Sequence, residues 1–221
     1  LLYRWFCPPG GMIFDPFAGG SVRGIVASKL GFGYLGIDLR PEQLAANEEQ
    51  AARICAGDAQ PPRWVEGDSR HAQVLAVATR ADFVFSCPPY ADLEQYSDDP
   101  RDLSTMEYPA FCEAYRAIVA ASMALLKPDR FACFVVGDVR DKKGLYRGFP
   151  EMTVEAFRAA GAGKYNEAIL VTAVGSLPIR VGKQFDAGRK LGKTHQNVLI
   201  FVKGDPKRAA EACNGQLELP A

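Results

Sequence analysis

The chain has 221 residues, of which 48% are hydrophobic, and this is enough for one large hydrophobic core. Basic and acidic side chains number 26 each, which excludes a protein that coats nucleic acid through its overall charge. No run of about eighteen apolar residues is present and the opening residues lack the pattern of a signal peptide, so we expect a cytoplasmic protein without a membrane partner.

Short apolar runs alternate with amphipathic stretches along the chain. The predicted strands cover residues 12–15, 34–38, 64–68, 82–86, 130–138, 165–176 and 197–204. The predicted helices cover residues 21–31, 41–57, 108–129 and 152–161, with a helix or turn at 71–80. Pro128 is expected to stop the longest helix.

This alternation predicts a doubly wound α/β fold, with a mostly parallel seven-stranded sheet and helices on both faces. The last two strands follow one another without a helix, which predicts an antiparallel C-terminal pair. We expect one domain over residues 1–204 and a polar tail over 205–221. The chain begins without an initiator Met, as a domain excised from a longer protein would.

The six cysteines are far apart in the sequence. There is no Cys-x-x-Cys pair and only two histidines are present, so we expect reduced thiols, no disulfide framework and no metal site.

The stretch "DPFAGGSVRG" reads as a glycine-rich turn between the first strand and a helix that begins near Ser21 or Val22. Glycines let the backbone approach a ligand closely, and a helix N-terminus offers unpaired N–H groups. Asp38 closes the second strand about twenty residues later, where a carboxylate can accept both hydroxyls of a ribose. Together the two features favour a nucleoside ligand.

The series "DPFAGG", "GIDLRPEQLAANEEQA", "GDSR" and "CPPY" resembles the motifs of S-adenosylmethionine-dependent DNA amino-methyltransferases, over Leu2 to Lys203. The resemblance implies S-adenosylmethionine as cofactor, DNA as partner and a Rossmann-like methyltransferase fold. It also implies that "LLYRWFCPPGG" closes over the methionine part of the cofactor. The implied cofactor-binding residues are Asp15, Phe17, Ala18 and Gly19 for the methionine part, Asp38 for the ribose and Asp68 near the adenine.

The catalytic residues implied by the resemblance are Cys87, Pro88, Pro89 and Tyr90. The exocyclic amine of a base has two N–H bonds. Hydrogen-bond acceptors for these bonds draw the amine out of the ring plane, so that its lone pair can attack the methyl group of the cofactor. Prolines fix the direction of the Pro88 carbonyl, the side chain at 87 is the second acceptor, and Tyr90 stacks on the flipped base.

Two motifs depart from the family pattern. The turn reads Gly19-Gly20-Ser21-Val22 where Gly-Ser-Gly-Thr is usual, and the tetrapeptide begins with Cys87 rather than Asp, Asn or Ser. A thiol accepts hydrogen bonds weakly. Ser is its nearest relative among the alternatives, which slightly favours cytosine over adenine as the target base.

Three other interpretations of Cys87 stay open. A thiolate can add to carbon 6 of cytosine and activate carbon 5, although nearby acids disfavour a thiolate. The protein can also be a degenerate methyltransferase fold that binds without turnover. Finally, a small Cys before a turn is common core packing.

Two loops flank these motifs. The acidic stretch over 91–104 follows the tetrapeptide and is either a solvated loop or a cover for the target base, in which Tyr96 helps to stack the base. Its acidity disfavours contact with DNA phosphates. The basic stretch over 177–195 lies between the last two strands and is the predicted site of phosphate contact, unless it is a solvated loop. Its predicted nucleic-acid-binding residues are Arg180, Lys183, Arg189, Lys190 and Lys193.

Overall fold

A computed structural model of the protein describes residues 1–76, 79–90, 95–172, 182 and 185–215. The strands are β1 (Met12–Asp15), β2 (Gly33–Asp38), β3 (Arg63–Glu66), β4 (Ala81–Ser86), β5 (Leu126–Val136), β6 (Gly163–Val171) and β7 (His195–Lys203). The helices are α1 (Leu2–Phe6), α2 (Val22–Lys29), α3 (Pro41–Ile54), α4 (Ala72–Leu75), α5 (Tyr108–Leu125), α6 (Phe149–Ala159) and α7 (Pro206–Ala212). Short 3-10 turns cover Ser69–His71 and Leu103–Thr105.

The seven strands form one sheet in the order β3-β2-β1-β4-β5-β7-β6. Strands β1 to β5 pair in parallel, whereas β7 is antiparallel to both β5 and β6. The predicted doubly wound fold and its antiparallel C-terminal pair are therefore confirmed. The strand order reverses between β1 and β4, and ligands of such sheets bind in the crevice at that reversal.

Helices cover both faces of the sheet. One hydrophobic cluster packs α4, α5 and α6 against the sheet, and the other packs α1, α2, α3 and α7 against the opposite face. On β4, Phe83 belongs to one cluster and the adjacent Val84 to the other, as expected for a strand buried on both sides. Among the described residues, no helix has the length and apolar character that crossing a lipid bilayer requires.

The long helix α5 ends before the predicted stop at Pro128, so that boundary was wrong. The helix ends at Leu125, and β5 already begins at the next residue. A residue before proline is biased to extended geometry, which ends the helix early. Proline itself is tolerated because the β4–β5 register shifts between Ala81 and Phe83, where Pro128 has no ladder partner.

A buried carboxylate, Asp82, stabilises the β4–β5 register shift between Ala81 and Phe83. Asp82 accepts hydrogen bonds from Lys127 Nζ at 2.9 Å, from Arg130 Nε at 3.2 Å and from the Met12 backbone N–H at 3.1 Å. Burial by itself would raise the pKa of Asp82, but these donors outweigh burial and lower it. The contact joins β1, β4 and β5 at the edge of the sheet opposite the crevice.

The sequence did not predict α7, which lies in the stretch expected to be a polar tail. Asp205 caps this helix by accepting from the N–H groups of Lys207 at 2.8 Å and Arg208 at 3.0 Å. Ala209 is fully buried against the sheet. Residues 216–221 lie outside the described residues.

Candidate active site

A cleft of about 370 Å³ opens at the carboxyl ends of β1, β2 and β4, at the reversal of strand order. It brings the predicted cofactor residues and the predicted catalytic residues into one site. The predicted residues that line it are Phe17, Gly19, Asp38, Asp68, Cys87, Pro88, Pro89 and Tyr90. Asp15 and Ala18 lie behind the glycine loop and are fully buried.

Asp15 organises the loop after β1 from its buried side. Its Oδ1 accepts from the Phe17 N–H at 3.1 Å and from Ser86 Oγ at 2.5 Å. Its Oδ2 accepts from Tyr34 Oη at 2.8 Å and from Arg23 Nε at 2.6 Å. These donors occupy the carboxylate, so Asp15 shapes the loop rather than facing a ligand. Ser86 is itself fully buried and does not line the cleft, so it is out of reach of a target amine.

Arg23 is a site residue that the sequence prediction missed. Besides Asp15, its guanidinium donates to the backbone carbonyls of Phe17 and Ala18, the latter at 2.8 Å, and it lines the cleft. Burial would lower the pKa of Arg23, but the charge of Asp15 outweighs it, so the group stays a cation. The signal in the sequence is that Arg23 is the only charged residue between Asp15 and Lys29.

The same loop is anchored to β2. The Ala18 N–H donates to the Ile37 carbonyl at 3.0 Å, which joins the loop to the strand. Gly36 makes this approach sterically feasible, because a Cβ there would lie 2.6 Å from the Ala18 Cβ. Asn47 on α3 donates to the Gly19 carbonyl at 2.7 Å and holds the tip.

Asp38 is positioned by two backbone N–H groups and keeps capacity for a ligand. Its Oδ2 accepts from Gly19 at 2.9 Å and its Oδ1 accepts from Arg40 at 3.0 Å. A carboxylate has about four acceptor sites, so further hydrogen bonds from two hydroxyls can be accepted. This arrangement fits a ribose.

Asp68 lies along the same cleft beyond Asp38. Burial by itself would raise its pKa, but hydrogen bonds from Arg70, at 2.5 Å for Nη2 and 2.8 Å for Nε, outweigh burial and lower it. Apolar side chains that line the cleft offer contact for a flat ring; they are Ile37, Leu39, Leu103 and Ile118. The carboxylates, apolar walls and glycine loop together fit S-adenosylmethionine.

The tetrapeptide follows β4 and closes the other end of the cleft. Cys87 is half-buried, and its Sγ lies 3.9 Å from Tyr90 Oη. Burial raises the pKa of the Cys87 thiol more than Arg23 and Tyr90 lower it, so the thiol is neutral at neutral pH. This environment is unlike that of an activated nucleophile.

Tyr90 is held on two sides. Its hydroxyl accepts from Gln196 Nε2 on β7 at 2.6 Å, and its ring meets the Phe149 ring edge-on with centroids 6.0 Å apart. Burial raises the pKa of Tyr90, which keeps the phenol neutral. The ring is therefore a fixed aromatic surface at the mouth of the cleft.

Part of the acidic loop lies over the cleft. Tyr96 and Arg101 line it, and Asp102 holds the chain by accepting from Ser97 Oγ at 2.8 Å and from the Ser104 N–H at 2.9 Å. Residues 91–94 of this loop lie outside the described residues.

Three of the predicted phosphate-contacting residues, Arg189, Lys190 and Lys193, line a second cleft of about 790 Å³. Arg180 and Lys183 lie outside the described residues. Strand β6 runs parallel to β5, so the β6–β7 connection emerges at the same edge of the sheet as the first cleft.

No protein-family model matches the chain, and no curated protein matches its sequence significantly. Solved structures are similar to it in fold. One is magnesium protoporphyrin IX methyltransferase from Synechocystis PCC 6803 with bound SAM, with a TM-score of 0.56 and 13% identity over 89% of this chain and 71% of that chain. Another is a SAM-dependent methyltransferase from Methanosarcina mazei, with a TM-score of 0.58 and 13% identity over 90% of this chain and 95% of that chain.

A third is precorrin-6y C5,15-methyltransferase from Geobacter metallireducens GS-15, with a TM-score of 0.55 and 14% identity over 91% of this chain and 85% of that chain. The protein therefore has the fold of SAM-dependent methyltransferases.

Proposed function

We propose that the protein is an S-adenosylmethionine-dependent DNA methyltransferase that methylates an exocyclic amine, N4 of cytosine or N6 of adenine, in a base flipped out of the duplex. One observation carries the proposal. The Cys87–Tyr90 tetrapeptide, whose residue types fit this chemistry, lines the same cleft as Asp38 and the glycine loop. The similar structures, one of them with bound SAM, support the choice of cofactor.

The residues of the cofactor site support binding of S-adenosylmethionine. Asp38 retains acceptor capacity for ribose hydroxyls, and Arg23 and Asn47 hold the carbonyls of the loop by hydrogen bonds. When bound, S-adenosylmethionine supplies an electrophilic methyl group on its sulfonium.

The tetrapeptide supplies what an amine nucleophile needs. The lone pair of an exocyclic amine is delocalised into the base, and hydrogen bonds to aligned acceptors pull it out of the ring plane. The Pro88 carbonyl, between two prolines, is fixed in direction and serves as one acceptor. Cys87 is the weaker second acceptor, and the Tyr90 ring stacks on the flipped base.

Carbon-5 methylation is less well supported. Addition to the pyrimidine ring requires a thiolate, and burial raises the pKa of Cys87 rather than lowering it. A neutral thiol still accepts a hydrogen bond, so its environment is compatible with amine methylation.

Transfer of a labelled methyl group from S-adenosylmethionine to DNA tests the proposal. We expect the wild-type protein to label DNA and Tyr90→Ala to label it 10 to 100 times more slowly, about what loss of base stacking costs. Tyr165→Ala, which removes an exposed ring on edge strand β6, is the control and should retain full activity. Binding of the cofactor without transfer to any DNA would refute the proposal.

A further inference from the structure

The second cleft, which we call the basic cleft, has two walls. One wall is the connection between β5 and α6, where Arg140 pairs with Tyr146 in an antiparallel bridge. The other wall is the segment over 185–195 that leads into β7. The bases that line it are Arg140 and Lys143 from the first wall, and Arg189, Lys190 and Lys193 from the second. None of the described lining residues is acidic.

The positive charges of the basic cleft are held in place by aromatic and backbone groups. The Arg140 guanidinium lies 3.7 Å above the centre of the Tyr146 ring and donates to the Gly144 carbonyl at 2.8 Å. Lys193 Nζ lies 5.7 Å from the centre of the same ring. Cation–π contacts orient a cation without neutralising it.

The two walls also meet directly. Lys190 packs against Gly144, where an added Cβ would lie 2.5 Å from Lys190 Nζ, and Gly144 has a φ of +84°. Arg189 lies 4.2 Å above the centre of the Phe185 ring. The connection after β5, which the sequence prediction did not single out, is therefore part of the same surface as the predicted basic stretch.

The described carboxylates leave these charges unpaired. In the part of the chain that the structure describes, none of the five bases of the basic cleft forms an ion pair with a carboxylate. The nearby Asp141 is turned into its own loop, where its Oδ1 accepts from the N–H groups of Lys143 and Leu145 at 2.9 and 2.8 Å. A concave surface with uncompensated charge attracts an anion with several negative groups.

The basic cleft adjoins the candidate active site. His195 lines the basic cleft, and the next residue, Gln196, donates to the Tyr90 hydroxyl at 2.6 Å. Gly137, where the connection after β5 begins, also lies beside the Tyr90 ring. A polyanion in the basic cleft would therefore extend to the mouth of the active site.

We propose that the basic cleft binds the phosphodiester backbone of DNA next to the flipped target base, with Arg140 and Lys143 as contacts alongside Arg189, Lys190 and Lys193. DNA as the occupant rests on the proposed function, whereas the binding of a polyanion rests on the charges alone. The phosphates on one side of the target nucleotide lie in the basic cleft while the base enters the site beside Tyr90.

The test is the salt dependence of binding of a fluorescent DNA duplex, followed by anisotropy. Arg140→Gln with Lys143→Gln should weaken binding at low salt about tenfold and reduce the slope of log affinity against log salt by about 1 to 2, or about 0.9 for each lost phosphate contact. Arg53→Gln with Arg158→Gln removes the same charge from exposed positions on α3 and α6 and should leave the slope unchanged.

An unchanged slope in the Arg140/Lys143 variant, or an equal change in both variants, would overturn the proposal. Weakened binding of an RNA duplex but not of DNA would overturn DNA as the occupant. Methyl transfer is measured in a separate experiment. If the basic cleft does not bind DNA, the labelled-methyl result is unaffected. If DNA binds without methyl transfer, only the proposed reaction is refuted.

Discussion

In the proposed reaction, Cys87 stands where a side chain of the tetrapeptide accepts a hydrogen bond from the target amine. Its neighbour Ser86 cannot replace it, because Ser86 is fully buried behind the cleft, where its hydroxyl donates to Asp15. The thiol is half-buried near the Tyr90 hydroxyl, and burial keeps it protonated. At this position the protein has a weak acceptor, whereas Arg23, Asp38 and Tyr90 of the same site are held by hydrogen bonds.

The substitution Cys87→Ser separates the two chemistries of this site. For amine methylation we expect activity to be retained or to rise up to about tenfold, because a hydroxyl accepts more strongly than a thiol and each hydrogen bond contributes about 0.5–1.5 kcal/mol. A covalent carbon-5 enzyme would instead lose all turnover, because a serine hydroxyl is scarcely ionised at neutral pH.

The control for this experiment is Cys213→Ser, another half-buried thiol at the end of α7. Melting curves of both variants report folding. Complete loss of activity in a folded Cys87→Ser protein, together with an adduct trapped on DNA containing 5-fluorocytosine, would contradict amine methylation.

The glycine loop and strand β2 act as one element of the cofactor site. Gly36 on β2 faces the Ala18 methyl closely. A Cβ at Gly36 would lie 2.6 Å from the Ala18 Cβ and 3.0 Å from the Trp64 ring. The loop carbonyls and N–H groups are then fixed by Arg23 and Asp38. Cofactor affinity therefore depends on a strand residue that does not line the cleft.

We expect Gly36→Ala to lower the free energy of unfolding by about 1–3 kcal/mol, the usual cost of overpacking, and to weaken binding of S-adenosylmethionine by about tenfold. Gly163→Ala on β6 is the matched control, since nothing lies within 4 Å of a Cβ there. Calorimetry that finds equal cofactor affinity in both variants would show that the loop does not depend on this contact.

A second element-scale prediction concerns Asp82 and the β4–β5 irregularity. The pKa of Asp82 is lowered in the folded protein, so its contribution to stability is complete above the ordinary carboxyl pKa of 3.8 and is lost as the pH falls below it. We expect Asp82→Asn to cost about 1 kcal/mol near pH 7, as for a partly exposed ion pair, and to flatten the loss of stability below about pH 4.

Denaturant unfolding between pH 2 and 7 measures this effect. Glu48→Gln, on the exposed side of α3, should leave the pH dependence of wild type unchanged. If Asp82→Asn followed the wild-type curve over the whole range, the carboxylate would not hold this part of the sheet.

At the scale of the whole molecule, the parts that local sequence motifs encode were predictable. Alternating strands and helices predicted the sheet, and the family motifs marked the acids after β2 and β3 and the tetrapeptide after β4. The carboxyl ends of parallel strands share one edge, which is where these residues lie. Cys87, Asp38 and Asp68 indeed line a single cleft.

The parts that depend on contacts between distant residues were not predictable. Ser86 and Asp15 are 71 residues apart, and nothing in either motif indicates that they bind each other. The partnership of Arg140 with the basic stretch needs the β5–α6 connection to lie beside the β6–β7 connection, which follows only from the strand order. Helix α7 was not predicted because its sequence is polar and lacks an apolar face. Only Ala209 of its residues is buried.

The candidate active site and the basic cleft lie on the same edge of the sheet. The hydrogen bond from Gln196, which follows His195 of the basic cleft, to Tyr90 connects them. The glycine loop and Asp38 lie on one side of Tyr90, and the uncompensated bases lie on the other. This layout suits a substrate whose reacting group enters the fold while its charged chain stays outside it. A nucleotide within DNA is such a substrate.

Mass spectrometry of nucleosides tests this conclusion most directly. DNA from cells that produce the wild-type protein should contain N4-methylcytosine or N6-methyladenine, and DNA from cells that produce Tyr90→Ala should contain at least tenfold less. The Tyr165→Ala variant should match the wild type. The appearance of 5-methylcytosine, or DNA without any added methyl group while the protein is folded and binds its cofactor, would contradict methylation of an exocyclic amine in DNA.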